Sequence, residues 1–478
     1  MSKDLEKYLL AAIGKEKDSL PSDNPYRDVG FDGEKRRLGW ILPASFIEIE
    51  KSLRALAPIL ENKETFIFVG MGGSINGIKP LLSLFKNKQF YTFDNLDPKA
   101  ASELISKVAD FNKTLVVSIS KSGTTKETQL LAKTLQELFS KKLGSDQWQK
   151  NFLWLSDKPS FDKLNDLGWQ GVAKTPIQFD SETDIGGRFS SPHTCIFFLP
   201  LFLLLGQDLD KLKNVYDDFV SLQEATRAEA CRKVEQYRDT KEAYFSPLID
   251  EILGKSFSSW IVQLFQESLG SKSTQLAVKT ITNLKDTDQF CSLSLDLEIS
   301  DKVVELMEQM YFFQVFIAYY SALKGINFVT QEFVEKYKQE MGRLEGASGE
   351  NQSPQVVNLE DIIKDLRSKI TERQCFIEVV LYFYPDSEFI EATKSRLEKE
   401  FPDKQVLVFV GSDWNHQSYQ AAFGAKDTFY VLLTLDQYAQ RASVVSEATN
   451  DRNIGALKLI AQATYLTLKD KSIFSVFK

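Results

Sequence analysis

The sequence predicts an α/β protein made of two α-β-α sandwiches, each built on a parallel sheet. Three observations predict it. From about residue 46 to 208, apolar runs of strand length alternate with stretches of helical periodicity. A strand-like run, Thr65–Gly70, ends at a Gly-rich loop and opens into an apolar-periodic segment through Ile78, Leu81, Leu82 and Phe85. After a polar stretch at Glu345–Ser353 (EGASGENQS), the same alternation starts again.

Residues 1–45 read as a polar arm with Pro21 and Pro25, ending in RRLGWILP. Residues 46–208 form the first expected domain. Strands are predicted at 65–70, 89–94, 113–119, 151–156 and 172–179, and helices near 46–59, 75–87, 98–109, 124–141 and 191–206. Residues 209–478 form the second expected domain. Its first part, 209–268, is charged with apolar spacing of three and four, and reads as helices. Strands follow at 275–281 and 289–298, then a long helix at Lys302–Lys324. Beyond the linker come a helix at 359–370, a strand at 375–383, a helix at 386–400, strands at 405–410 and 428–434, and a closing helix from about 452.

Composition removes several function classes. A net charge of −8 argues against a general nucleic-acid binder, which needs a basic face. The four cysteines, Cys195, Cys231, Cys291 and Cys375, are dispersed and read as buried free thiols in a reducing compartment, with no disulfide framework or zinc site. The N-terminus is charged and amphipathic rather than a signal peptide. The apolar run Cys195–Gly206 holds a proline and is too short to span a bilayer, so it reads as a buried helix. A cytoplasmic protein is expected. With only His193 and His416 in the chain, a His-ligated metal centre is disfavoured, and any imidazole chemistry has two candidates.

Two loops carry the chemistry. Gly70-Met71-Gly72-Gly73-Ser74 follows one strand, and Ser118–Thr125 (SISKSGTT) follows another about fifty residues later. Glycine lets backbone approach an anion, and amides at a helix N-terminus point at it. The first loop lacks the third glycine of a dinucleotide fingerprint and is not a P-loop. Singly, each loop is also compatible with a tight turn or a solvated N-cap. Together they describe a pocket for a phosphate that is bound and not transferred. Farther on, Asp184–Ser190 (DIGGRFS) brings Arg188 behind two glycines, where it could clamp a developing oxyanion or lie on a surface turn. In Trp260–Gly270 (WIVQLFQESLG), Gln263 and Glu267 are four apart and share a helical face. Glu267 is thus either a general base or a solvated carboxylate.

In order and spacing, GMGGS, SISKSGTT, DIGGRFS and Q-x-x-x-ES-x-G resemble the phosphoglucose isomerase family. Tyr311–Lys338 resembles that family's segment ending in a site lysine, with Gln331 seven residues before Lys338. One segment departs. The stretch Asn283–Leu295, where most members carry a histidine, has none. Asp413–Gln420 (DWNHQSYQ) instead looks like the His segment of the isomerase half of fused transaldolase–isomerase proteins, where it follows the Lys segment.

The resemblance implies two sandwich domains of the sugar-isomerase (SIS) type and interconversion of glucose 6-phosphate and fructose 6-phosphate without metal or cofactor. It implies phosphate at Gly73, Ser74, Ser120, Lys121, Ser122 and Thr125. It gives Glu267 the proton transfer between C2 and C1, Arg188 the cis-enediolate, His416 with Lys338 the ring opening, and Gln263 and Gln331 the substrate oxygens. Lys458 competes with Lys338, and His193 with His416. A small-molecule sugar phosphate is the expected partner, with no nucleic acid, no membrane and possible homodimerisation. Other readings are a broader isomerase that also takes mannose 6-phosphate, and a non-catalytic sugar-phosphate regulator.

Overall fold

The computed structural model of the chain describes residues 2–270, 276–284, 289–346, 356–438, 443 and 445–478. Packing divides it into two units. One comprises Met1–Thr92 with Asp110–Gln331, the other Phe93–Ala109 with Glu332–Lys478.

The first unit holds a five-stranded sheet of β1 (Thr65–Val69), β2 (Phe90–Phe93), β3 (Thr114–Ile119), β4 (Phe152–Ser156) and β5 (Ala173–Pro176), in the order β2-β1-β3-β4-β5. The pairs β1/β3, β3/β4 and β4/β5 are parallel, with Phe66 opposite Leu115 and Leu153 opposite Ala173. All of β3 and most of β1 are buried, as strands covered on both faces require. The strand order reverses between β1 and β3. Open α/β sheets bind ligands outside the carboxyl ends of their strands at such a switch point. The Gly-rich loop leaves β1 and the Ser/Thr loop leaves β3, so the sheet puts both there.

Helices α1 (Ile78–Phe85), α2 (Lys126–Leu143) and α3 (Cys195–Leu204) follow in this unit. α3 has Pro200 inside it and is buried almost throughout, as its apolar sequence predicts. Next come α4 (Leu209–Gln236), α5 (Gly254–Leu269) and α6 (Lys302–Lys324). Asp301 caps α6, accepting from Val303 N and Val304 N, and Gly325 ends it at φ +67°. A smaller parallel sheet, β6 (Ala243–Pro247), β7 (Val278–Thr280) and β8 (Cys291–Leu293), has the order β8-β6-β7. β6 corrects the purely helical reading of 209–268.

The domain boundary expected at residue 208 does not coincide with an edge of either unit. α4 lies along α6, where Arg227 Nη1 donates to Tyr311 Oη at 3.2 Å and Thr226 to Glu308. The polar arm is bound into the same packing. Arg227 pairs with Glu6 at 2.9 Å, Tyr311 Oη donates to Ile41 O at 3.0 Å, and Tyr26, Leu38, Trp40 and Ile41 are buried. Residues 209–331 therefore stay with the first sheet and the arm.

The second unit holds β9 (Val356–Val357), β10 (Phe376–Leu381), β11 (Gln405–Val410), β12 (Thr428–Leu435) and β13 (Ser472–Phe477), ordered β9-β13-β12-β10-β11. Every pair is parallel. β13 is a strand the sequence reading lacks. Helices α7 (Val334–Gly346), α8 (Asp413–Gln417) and α9 (Glu447–Leu468) belong to this unit. So does the helix Pro98–Ser106, lent by the segment between β2 and β3. Asp97 caps that helix on Lys99 N at 2.8 Å and accepts from Tyr384 N at 2.8 Å, while Lys99 pairs with Asp386 at 2.6 Å. In the expected linker Glu345–Ser353, Glu345 and Gly346 end α7, and residues 347–353 lie outside the described residues.

The cysteine expectation needs correcting in part. All four thiols are free, but only Cys195 is buried; Cys231 and Cys291 are half-buried, and Cys375, just before β10, is exposed. Among the described residues no helix is long and apolar enough to cross a membrane.

Candidate active site

The two loops at the switch point are shaped by contacts that exclude side chains. Gly72 sits at φ +54°, and Gly72–Ser74 make one tight turn. A Cβ on Gly73 would lie 2.3 Å from the carbonyl carbon and oxygen of Gly187 and 2.7 Å from Arg188 N. The loop that ends in Ser74 is thus pressed against the turn that carries Arg188. In the second loop, Ser120 Oγ and Thr125 Oγ1 are 3.0 Å apart, and Ser122 Oγ accepts from Thr124 N at 3.2 Å. Gly123, at φ +66°, turns the loop, and α2 begins directly after Thr125. Hydroxyls and the first amides of an 18-residue helix therefore share one end of β3. Lys121 Nζ donates to Ile185 O and lies 3.8 Å from Asp157. Burial lowers its ammonium to about 8, against the pull of Asp157.

Behind the loops, α5 presents Gln263 and Glu267 one turn apart, both buried. Gln263 Nε2 donates to Glu267 Oε2 at 3.0 Å, and Gln263 Oε1 accepts from Asn76 Nδ2 at 3.1 Å. Asn76 Oδ1 accepts in turn from Lys79 Nζ at 2.9 Å. The other carboxylate oxygen, Oε1, accepts from the Gln331 amide and faces Arg188 Nη1 at 3.2 Å. Arg188 is spread over further acceptors: Nε donates to Ser268 Oγ at 2.8 Å and Nη2 to the carbonyls of Phe328 and Thr330. Desolvation lowers the Arg188 pKa, and Glu267 opposes that shift. Arg188 and Glu267 are 3% and 6% exposed, so each carries the other's charge in a dry setting. The structure therefore brings Arg188, Glu267, Gln263 and Gln331 into one cluster.

His416 and Lys338 belong to the second unit. His416 is half-buried on α8, after β11, directly behind two anchored residues. Trp414 Nε1 donates to the buried Glu378 at 3.0 Å; Asn415 donates to Thr464 Oγ1 at 2.7 Å and accepts from Tyr382 Oη at 2.9 Å. Gln420 Oε1 accepts from Phe333 N at 3.0 Å and Val334 N at 3.3 Å, at the start of α7. The His segment is thereby tied to the helix that carries Lys338. Lys338 itself is exposed and pairs with Glu335 at 2.8 Å. Lys458 is exposed on α9, 5.7 Å from the Tyr438 ring centroid. His193 lies in the core of the first unit. Its Nε2 is 2.7 Å from Gln314 Oε1, aromatic rings of Trp40, Phe219 and Tyr311 surround it, and burial pulls its imidazole down to about 4.

The sequence reading gave no role to Asn76 or Gln178, nor to Asp184 and Ser268 inside its motifs. Asn76 follows the first loop by two residues and Ser268 follows Glu267, so adjacency to the motifs was the available signal.

Comparison with known proteins bears on this arrangement. The phosphoglucose isomerase family model matches residues 60–216, which contain both loops and the Arg188 turn. Over that stretch the chain is similar to the phosphoglucose isomerase family. The glucose-6-phosphate isomerase of Campylobacter jejuni is 28% identical over 273 residues, 54% of this chain and 63% of that one. That of Thermus thermophilus is 27% identical over 268 residues, so the chain spans less than two thirds of either relative, 63% and 62%. That of Streptococcus pneumoniae serotype 19F is 24% identical over 428 residues, 70% of this chain and 90% of that one. Among solved structures, a glucose-6-phosphate isomerase from Chlamydia trachomatis has a TM-score of 0.53 at 16% identity, covering 72% of this chain and 84% of that one. A hypothetical protein of Thermus thermophilus reaches 0.53 at 20% identity, covering 72% and 95%. These two share the fold. The segments of His416 and Lys338 fall outside the stretch matched by the family model.

Proposed function

We propose that the chain interconverts glucose 6-phosphate and fructose 6-phosphate through a cis-enediolate. The observation that carries this reading is the Glu267 carboxylate, buried 3.2 Å from the Arg188 guanidinium and oriented by Gln263 and Gln331. Glu267 takes the proton from C2 and returns it at C1. As it does so it loses its charge, while the substrate oxygens gain one. The Arg188 guanidinium then passes from the neutralised Glu267 carboxyl to the enediolate oxygens, so the charge that develops on the substrate meets a fixed cation. The phosphate lies between the Gly73–Ser74 turn and Ser120, Lys121, Ser122 and Thr125. His416, with Lys338, moves the proton that opens the ring.

A coupled assay tests the reading. Fructose 6-phosphate is supplied, and the glucose 6-phosphate formed is oxidised with a dye-linked or nicotinamide readout. Steady turnover supports it, and none with either sugar phosphate overturns it. A second reading, a sugar-phosphate binder without turnover, draws on the exposed ion pair that occupies Lys338. Against it stands the buried Arg188–Glu267 pair, which binding alone does not need. Action on mannose 6-phosphate and a homodimeric, cytoplasmic enzyme remain extensions of this proposal.

A further inference from the structure

Three consecutive residues ahead of the Gly186-Gly187-Arg188 turn are each held by a cation. Arg37 Nη1 donates to Thr183 O at 2.9 Å. Arg36 Nε and Nη2 donate to Asp184 Oδ2 at 3.2 and 2.8 Å. Lys121 Nζ donates to Ile185 O. The remaining bonds lock the same segment. Asp184 Oδ1 accepts from Gln178 Nε2 at 2.9 Å, and Gln178 Oε1 accepts from Ile185 N at 2.9 Å. Gly39, also in the arm, comes so close that a Cβ there would lie 2.1 Å from Asp184 Oδ1. The Arg36 and Asp184 side chains are 22% and 12% exposed, so this pair is largely shielded from screening.

The two glycines that follow have little conformational stiffness of their own. Without a hold upstream, the Arg188 turn would be positioned only by its contact with Gly73 and by the acceptors of its guanidinium. We infer that Arg36 and Asp184 are positioning residues for Arg188: the N-terminal arm fixes the Thr183–Ile185 segment, and Lys121 of the Ser/Thr loop shares the hold. This rests on the proposed isomerase reading for its kinetic consequence, and not for its structural one. Arg36 lies 148 positions from Asp184 and outside every segment with a family motif.

The test is Arg36→Gln, Asp184→Asn and the double variant, with Arg36→Lys as a control that keeps the charge and loses the two-pronged contact. Three quantities are read: kcat and KM for fructose 6-phosphate, inhibition by inorganic phosphate, and deuterium exchange at the Phe189 and Ser190 amides, which donate to Gly186 O and Gly187 O. The expected result is kcat lowered about 10- to 100-fold with KM and phosphate inhibition within about threefold. The double variant should be no worse than the worse single one, and Arg36→Lys should recover part of the loss. Exchange at Phe189 and Ser190 should quicken. A kcat within about twofold of wild type overturns the inference, as does phosphate inhibition lost in step with kcat. If the wild-type chain shows no isomerisation, the proposed function falls. Exchange at the two amides then decides the clamp alone, and unchanged protection in Arg36→Lys and Asp184→Asn refutes it even if Arg36→Gln does not fold.

Discussion

Gly73 and Gly187 meet backbone to backbone, and a Cβ on Gly73 would stand 2.3 Å from the Gly187 carbonyl. The contact is one-sided: a Cβ on Gly187 would have nothing within 4 Å. Gly73→Ala should therefore force the two turns apart, costing about 1–3 kcal/mol as overpacking does. Gly187→Ala should leave thermal stability nearly unchanged. Melting temperatures of the two variants check this, and equal losses would contradict it.

Glu267→Gln should abolish nearly all isomerisation, by about 10²–10⁴-fold, because the amide cannot accept the C2 proton. Binding of sugar phosphate, followed by calorimetry, should persist. Activity within a few-fold of wild type would remove Glu267 from the role of base.

Ser120→Ala combined with Thr125→Ala takes away the pair of hydroxyls 3.0 Å apart at the end of β3. Each hydrogen bond to a charged group is worth about 1.5–3 kcal/mol, so affinity for sugar phosphates and for inorganic phosphate should fall together. Unchanged inhibition by phosphate would place the anion elsewhere.

Two buried groups in the first unit should shape stability against pH from opposite sides. Burial holds His193 down at about 4 from an ordinary 6.5, so its unfolded form binds more protons between those values, and stability is lost as pH falls through that window. Burial holds Glu308 up at about 8 from an ordinary 4.5, so its folded form keeps a proton that the unfolded form releases, and stability is lost as pH rises toward 8. The two effects oppose each other between pH 4.5 and 6.5. Glu308→Gln should therefore flatten the decline between pH 6.5 and 8 and unmask a loss below 6.5, whereas His193→Gln should let stability keep rising as pH falls through the shared range, each by on the order of a few kcal/mol at most. Thermal unfolding across this range reads both limbs.

His416→Ala should depress turnover on the cyclic sugar phosphate more than on a substrate already in open-chain form, since ring opening is its proposed step. His193→Ala should cost stability through the Gln314 contact and leave the kinetics of the folded fraction intact. Equal kinetic losses on both substrates would detach His416 from ring opening.

The first sheet was legible because its strands are continuous apolar runs bounded by loops, as in Thr65–Val69 and Thr114–Ile119. α6 was legible to the residue because Asp301 and Gly325 mark its ends chemically. Ala243–Pro247 and Ser472–Phe477 were missed: the first is a five-residue strand among charged helices, and the second follows directly on the charged turn Lys469–Lys471 after α9. Motifs located Arg188, Glu267, Gln263 and Gln331. The groups that orient them were not legible, because a hydrogen bond from Asn76 to Gln263, 187 positions away, leaves no periodic trace. The domain edge was hidden for a related reason. α4 follows residue 208 without a break in pattern, and only its packing on α6 assigns it to the first unit.

The Phe93–Ala109 excursion means that the polypeptide passes between the units three times rather than once. Asp97 is made early on the ribosome, yet its partner Tyr384 lies 287 positions downstream. The second unit therefore cannot finish unless a strip of chain synthesised long before is still free to join it. A fragment beginning at residue 332 would lack that strip, including the carboxylate that receives the Tyr384 amide. Gene fusions, truncations and split versions of this protein should accordingly fail at the obvious cut near residue 331, and succeed only where the 93–109 strip travels with the C-terminal part.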